Sequence, residues 1–278
     1  MHGNRPLGVS TSLFRGTLGP DGEPQGIDAM RGTGITHIEY FCDDDTRNHT
    51  SPQHMAAVKW AAAAGGVTVW SCHAPFGSTD ISAEDEAVRR QSVQNVIEAL
   101  DAAVELGAGR VVVHGSREPI AEEDRERRLI QCIRSLNELC KRASQRGLVL
   151  ALELLPRTCL GNRTAEMKRL LEIVDGDLRV CYDVNHITLY EGVEESLSAL
   201  KGRIETLHIS DHDGVDERHW IPGRGIVDWP GFVAGLDAIG YSGCLLHEAR
   251  DVELDLAGNL RKIAAAARRH LQAGPADR

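Results

Sequence analysis

The chain has 278 residues, 42% hydrophobic and 26% charged, a composition that excludes wholesale disorder and leaves one large domain or two small ones. Lys and Arg total 31 against 41 Asp and Glu, a formal net charge of −10, which argues against a nucleic-acid coat protein or a polybasic membrane binder. In chain order, short apolar runs alternate with longer amphipathic ones. A strand is predicted at 7–12 and a helix at 22–31, then a strand at 36–41 and a helix at 52–64. The third pair is 67–73 with 84–106, where Val88, Val93, Ile97, Leu100, Val104 and Leu106 recur at helical spacing before Gly107. Strand 110–114 precedes helix 122–146, acidic at its start and basic at its end as the helix dipole favours. The remaining pairs are 148–154 with 164–174, 178–183 with 192–201, 204–209 with 229–239, and 243–248 with 254–272. Several strands are apolar on both faces, as in a parallel sheet. This alternation points to an α/β fold, a single-domain (β/α)₈ TIM barrel spanning 1–278. A doubly wound sheet would put a Gly-rich phosphate loop after the first strand, and Gly16-Thr17-Leu18-Gly19-Pro20 is not one.

The seven cysteines are odd in number, scattered and without a C-x-x-C, so a reducing, cytoplasmic setting is expected. No signal-peptide core follows Met1, no apolar run approaches a membrane span, and the tail from Ala273 reads as frayed.

In such a barrel the working side chains project from strand C-termini. Those positions hold Glu39, His73, His114, Glu153, Asp183 with His186, His208 and Glu248. Burying Glu153 within Ala151-Leu152-Glu153-Leu154-Leu155 is costly unless it is paired or ligated. A convergent ring of carboxylates and imidazoles has the composition of a divalent-metal site. A lone strand-end histidine is more often a hydrogen-bonded core residue; the joint occurrence on successive strands is what points to a metal. Glu39 reads as a partner that orients a ligand. Trp70 reads as structural, Phe14 as an apolar lid, and Arg117 as a solvated loop residue.

The chain resembles the xylose-isomerase-like TIM barrels, which include sugar and sugar-phosphate isomerases and epimerases and endonuclease IV. The resemblance covers nearly the whole chain. It is carried by Ser71-Cys72-His73-Ala74-Pro75-Phe76, Val113-His114-Gly115-Ser116, Leu152-Glu153, Asp183-Val184-Asn185-His186, Leu207-His208-Ile209-Ser210-Asp211, Ile221-Pro222-Gly223-Arg224-Gly225 and His247-Glu248. By resemblance to D-tagatose 3-epimerase-like members, Glu153, Asp183, His208 and Glu248 hold one metal, Glu153 and Glu248 move a proton off and onto carbon, and His186 holds a substrate oxygen. The implied enzyme is a metal-dependent isomerase or epimerase of a sugar, sugar phosphate or keto-polyol, working through a metal-stabilised enediolate. Mn²⁺ or Zn²⁺ is the expected ion, with Mg²⁺ or Co²⁺ as substitutes. His73, His114, Arg218, His219 and Trp220 are the further substrate-binding candidates. The position six residues after Glu153, a glutamate in those epimerases, is Cys159 here.

Two alternatives remain open. One is a metal-dependent lyase or dehydratase on a related polyol. The other is an endonuclease IV-like zinc phosphodiesterase, whose trinuclear pattern His73, His114 and Asp216-Glu217-Arg218-His219 largely fill, with Glu217 where an aspartate is expected. Against DNA stand Asp183-Val184-Asn185-His186 in place of D-T-C-H and an aromatic content of only 4%. The expected partner is therefore a small sugar or polyol, without nucleic acid or membrane, and the family implies a homodimer or tetramer.

Overall fold

The computed structural model describes residues 5–272, so the tail from Ala273 lies outside the described residues. The elements run β1 (Leu7–Ser10), α1 (Ser12–Leu18), α2 (Glu23–Ala29), β2 (His37–Phe41), α3 (Pro52–Gly65), β3 (Thr68–His73), α4 (Glu86–Leu106) and β4 (Arg110–Val113). They continue with α5 (Arg125–Ser144), β5 (Val149–Glu153), α6 (Thr164–Ile173), β6 (Leu178–Asp183), α7 (Val184–Ile187), α8 (Val193–Ala199), β7 (Ile204–His208), α9 (Trp229–Ile239), β8 (Leu245–His247) and α10 (Leu256–Ala267). All eight strands are parallel, in the order β7-β6-β5-β4-β3-β2-β1-β8. Ile209 closes the ring: its N–H donates to Leu246 O at 2.9 Å and its carbonyl accepts from Glu248 N at 3.1 Å. The architecture is a TIM barrel.

The two-residue period of a strand explains the barrel's two faces. Leu150, Leu152 and Leu154, like Val111 and Val113, join the apolar layer between strands and helices. The alternate positions form a separate small cluster, Val112, Ala151 and Cys181, one residue pair below His114, Glu153 and Asp183 on the same strand faces. The far end is plugged by Trp70, whose indole N–H donates to Thr206 Oγ1 at 3.0 Å and whose ring lies under the Arg110 guanidinium at 3.5 Å. The pairing of β2 with β3 skips Trp70, and that of β6 with β7 skips Glu205.

Helix ends follow their caps. Asp85 accepts from Ala87 N and Val88 N at the start of α4, and Gly107, at φ 73°, ends it in the left-handed region. Two helices depart from the sequence reading. The first strand stops at Ser10, not Ser12, because α1 begins there. Phe14, read as a lid, is fully buried in the core, packed so closely on Gly26 that a Cβ there would meet its ring at 2.2 Å. The other unforeseen helix is the single turn α7. All seven cysteines are free and buried. Among the described residues, no helix is long and apolar enough to cross a membrane.

Candidate metal centre and active site

The D-x-x-H segment works through a helix cap. Asp183 Oδ1 accepts from His186 N at 2.9 Å, which makes Asp183 the N-cap of α7 and turns His186 back over the barrel mouth. The other oxygen, Asp183 Oδ2, is buried and has no hydrogen-bond partner. It faces His186 Nδ1 at 3.4 Å and His208 Nδ1 at 3.8 Å. An unpartnered carboxylate oxygen is expensive to bury, and a cation satisfies it.

Around it stand Glu153, His208 and Glu248. One ligand atom from each of these and from Asp183 lies within 4.8 Å of the others. His208 is oriented from behind: Nε2 donates to Glu39 Oε1 at 3.0 Å, and Ser71 Oγ donates to Glu39 Oε2 at 2.7 Å. That leaves His208 Nδ1 facing Glu153 Oε1 at 3.1 Å and Glu248 Oε2 at 3.3 Å. A carboxylate–histidine pair behind a ligand is a common outer layer of metal sites. The donors of Glu153, Asp183, His208 and Glu248, three carboxylates and one imidazole, fit a divalent cation.

Electrostatics support the same fit. Burial pushes the Asp183 carboxyl up to about 6, with Glu153 and Glu248 adding to the rise. Burial also acts upward on Glu153, but His208 and His114 outweigh it and hold that carboxyl well below its ordinary value. His208 would be lowered by burial, yet Glu39, Glu153 and Glu248 raise it well above its usual range. The cluster thus demands positive charge at its centre, and a cation or a proton supplies it.

Glu153 also links the remaining strand-end histidines. Its Oε2 lies 3.0 Å from both His73 Nε2 and His114 Nε2. His73 Nδ1 donates to Ala74 O at 2.8 Å. The Phe76 ring stacks on His114 at 4.6 Å. A second group, His186, Glu217 and His219, also places one ligand atom from each within 4.8 Å of the others. His186 Nδ1 donates to Leu154 O at 2.9 Å, and its Nε2 lies 2.6 Å from Glu217 Oε2. Burial lowers His186, but Asp183 and Glu217 carry it up to about 10.

The site opens into two adjoining lobes that share Phe76, His219 and Glu248. One, about 330 Å³, is lined by His114, Glu153, His186 and Glu217 and rimmed by Arg117, Glu118 and Arg157. The other, about 230 Å³, lies between Ser10, Ser12 and Leu13 on one side and His247 to Arg250 on the other. Arg218 and Trp220, expected at the substrate, are not among the lining residues of either lobe. The Arg218 guanidinium is held by Asp213 at 2.7 Å. Trp220 pairs its backbone with Asp211, and its ring lies under Arg224 at 4.8 Å.

Sequence reasoning missed Arg157, which lines the first lobe with φ 50° and pairs with Glu118, with Asp216 at 3.0 Å and with Glu217 at 2.9 Å. Its only sequence signal was its place four residues after Glu153. Cys159 also lines this lobe, and burial pushes its thiol up to about 12, so it is not a reactive thiolate.

The 211–229 segment hangs on one buried carboxylate. Asp211 accepts from His212 N, Gly223 N, Gly225 N, Val227 N and Trp229 Nε1, at 2.8–3.1 Å. A Cβ on Gly225 would meet His212 O at 2.1 Å, so glycine is required there. His212 then ties this segment to α7, its Nε2 lying 2.8 Å from Thr188 Oγ1.

The family model described as the xylose isomerase-like TIM barrel matches residues 27–273. An uncharacterized protein of Methanocaldococcus jannaschii is 24% identical over 92% of this chain and 98% of its own. A ketose 3-epimerase of Arthrobacter globiformis is 26% identical over 87% of this chain and 83% of its own. A D-psicose 3-epimerase structure obtained in the presence of D-fructose superposes with a TM-score of 0.82 at 19% identity, covering 96% of this chain and all of that one, 100%. With a match over most of its length, the chain belongs to the xylose isomerase-like TIM barrel family.

Proposed function

We propose that the chain is a divalent-metal-dependent isomerase or epimerase of a sugar, sugar phosphate or keto-polyol. The observation that carries this reading is the convergence of Glu153, Asp183, His208 and Glu248, with Asp183 Oδ2 buried and unpartnered, at the floor of an open cleft. The ketose and psicose 3-epimerases among its relatives support sugar chemistry.

Glu153, Asp183, His208 and Glu248 would hold the cation, which supplies charge to polarise a substrate carbonyl and acidify the neighbouring C–H. The chain's own groups do the rest. Glu153, on β5, is almost fully buried, whereas Glu248, after β8, is 18% exposed and lines both lobes. Two carboxylates bracketing one carbon let one remove its proton and the other return it. Glu39 and Ser71 keep the His208 ring in one orientation. His186, fixed by Asp183 and Leu154, lines the first lobe, and a substrate oxygen would replace Glu217 Oε2, now 2.6 Å away, as the partner of its Nε2. Phe76 and Leu155 limit water on one wall.

A second reading, the endonuclease IV-like zinc phosphodiesterase, is favoured by the group His186, Glu217 and His219, which gives further metal-competent donors beside the first four. Metal content separates the two. About one Mn, Co, Mg or Zn per chain, with solvent-deuterium incorporation into a ketose, supports the isomerase. Close to three zinc ions with cleavage of abasic DNA supports the phosphodiesterase. Loss of water from the polyol, rather than exchange, identifies a lyase. Glu153→Gln and Glu248→Gln should each abolish exchange, and near-wild-type turnover by either with metal bound refutes the assignment.

A further inference from the structure

The second lobe differs in charge from the first. The first gathers four carboxylates, Glu118, Glu153, Glu217 and Glu248, against two arginines, Arg117 at the rim and Arg157, the latter already engaged by Glu118, Asp216 and Glu217. In the second lobe the only carboxylate is Glu248, already assigned to the cation. Facing it is Arg250, whose guanidinium has no ion pair or hydrogen-bond acceptor among the described residues.

Arg250 is exposed, but its backbone is held. Its backbone N–H donates to His219 O at 2.9 Å, and its Nη1 lies 3.5 Å from where a Cβ on Gly16 would stand. Gly16 and Ser12 are four residues apart in α1 and share one helix face, which puts the guanidinium against the face that carries Ser12. The floor adds a second, independent feature. His247 lines this lobe at 1% exposure, and its Nδ1 donates to Leu245 O at 3.0 Å and Gly8 O at 3.3 Å. That leaves His247 Nε2 as a buried acceptor with no partner.

We infer that the second lobe binds the end of the substrate remote from the reacting carbon, and that this end carries an anionic group, a phosphate or a carboxylate, paired with Arg250. His247 Nε2 accepts from a neighbouring substrate hydroxyl, and Ser12 lies beside the anion. A guanidinium suits either anion because its planar fork donates two parallel hydrogen bonds. The inference rests on the sugar-isomerase reading for its substrate class.

The test uses the full chain and three ketohexoses that differ only at C6: D-fructose, D-fructose 6-phosphate and D-fructuronate. Affinities are measured by calorimetry, which does not require turnover. At least one anionic sugar should bind about 10- to 100-fold tighter than fructose, the range expected for a hydrogen bond to a charged group. Arg250→Met should erase that difference and Arg250→Lys should keep part of it. A preference for the phosphate alone identifies a sugar phosphate, and for the uronate alone a sugar acid. Equal affinity for all three, binding of none, or a preference that survives Arg250→Met overturns the inference. Deuterium exchange from D₂O reads the chemistry separately. Anion-selective binding without exchange in the metal-loaded protein leaves the subsite and refutes the isomerase. Exchange without anion preference does the reverse.

Discussion

Glu39→Gln isolates how much the layer behind His208 contributes to the metal centre. Glu39 is fully buried, with His208 Nε2 at 3.0 Å from one oxygen and Ser71 Oγ at 2.7 Å from the other. Glutamine is nearly isosteric. Its carbonyl oxygen can still accept from His208, and its amide can donate to Ser71 Oγ once that hydroxyl rotates. What disappears is the charge. Charge-assisted hydrogen bonds contribute about 1.5–3 kcal/mol and neutral ones about 0.5–1.5, so the loss is roughly 1–1.5 kcal/mol, or about tenfold in metal affinity. Glu39→Ala strands both His208 Nε2 and Ser71, and should approach the hundredfold end of the range of about 10–100-fold known for such outer partners. Mn²⁺ titration calorimetry on the folded variants reads this directly. If Glu39→Gln binds Mn²⁺ within twofold of the wild type, then Glu39 does not tune His208 and the reasoning is refuted.

Three further outcomes follow from buried charge. Glu23, at the start of α2, is fully buried; neither carboxylate oxygen has a hydrogen bond, Arg15 Nη1 and His54 Nε2 standing off at 3.6 and 3.5 Å, and burial pushes it up to about 7 from 4.5. The unfolded chain ionises Glu23 first, so between about pH 4.5 and 7 rising pH should cost stability, on the order of 3 kcal/mol for a shift of this size. Urea midpoints should therefore show Glu23→Gln gaining on the wild type from pH 4.5 to pH 8, and a pH-independent difference contradicts this. Asp211→Asn points an amide at two or three of the N–H groups that the carboxylate now satisfies; a loss of about 3 kcal/mol or more is expected, with faster hydrogen exchange across 211–229. Unchanged exchange there means the carboxylate does not hold the segment. Removing the metal with a chelator should lower the thermal midpoint, and micromolar Mn²⁺ should restore it in the wild type but not in Asp183→Asn. Equal response in both proteins removes Asp183 from the ligand set.

Much of the architecture was legible because it follows from local rules. Strands β2 to β8 fall within one or two residues of the apolar runs that predicted them. The period of two places Glu153 above Ala151 and Asp183 above Cys181 on the barrel's inner face, which is why carboxylates in apolar strands pointed to a site. What sequence patterns did not carry lies in short or irregular segments. Helix α7 is one turn long, too short for any periodicity, and it exists because Asp183 caps it. Arg157 reaches the cleft through left-handed backbone at φ 50°, a conformation that no residue pattern announced; His219, named from the sequence, lines both lobes through similar backbone at φ 49°.

The sequence by itself determined the barrel and the strand ends at which polar groups collect, since apolar periodicity and strand direction are local properties. Only the tertiary structure decided which loop residues enter the cleft. Asp211 gathers donors from positions up to eighteen residues away and so sets the 212–226 path, which leaves Arg218 paired with Asp213 and Trp220 beside Arg224. Likewise, Arg157 is engaged by carboxylates from two other loops while Arg250 has no ion pair among the described residues, a difference in long-range charge pairing that spacing along the chain does not encode.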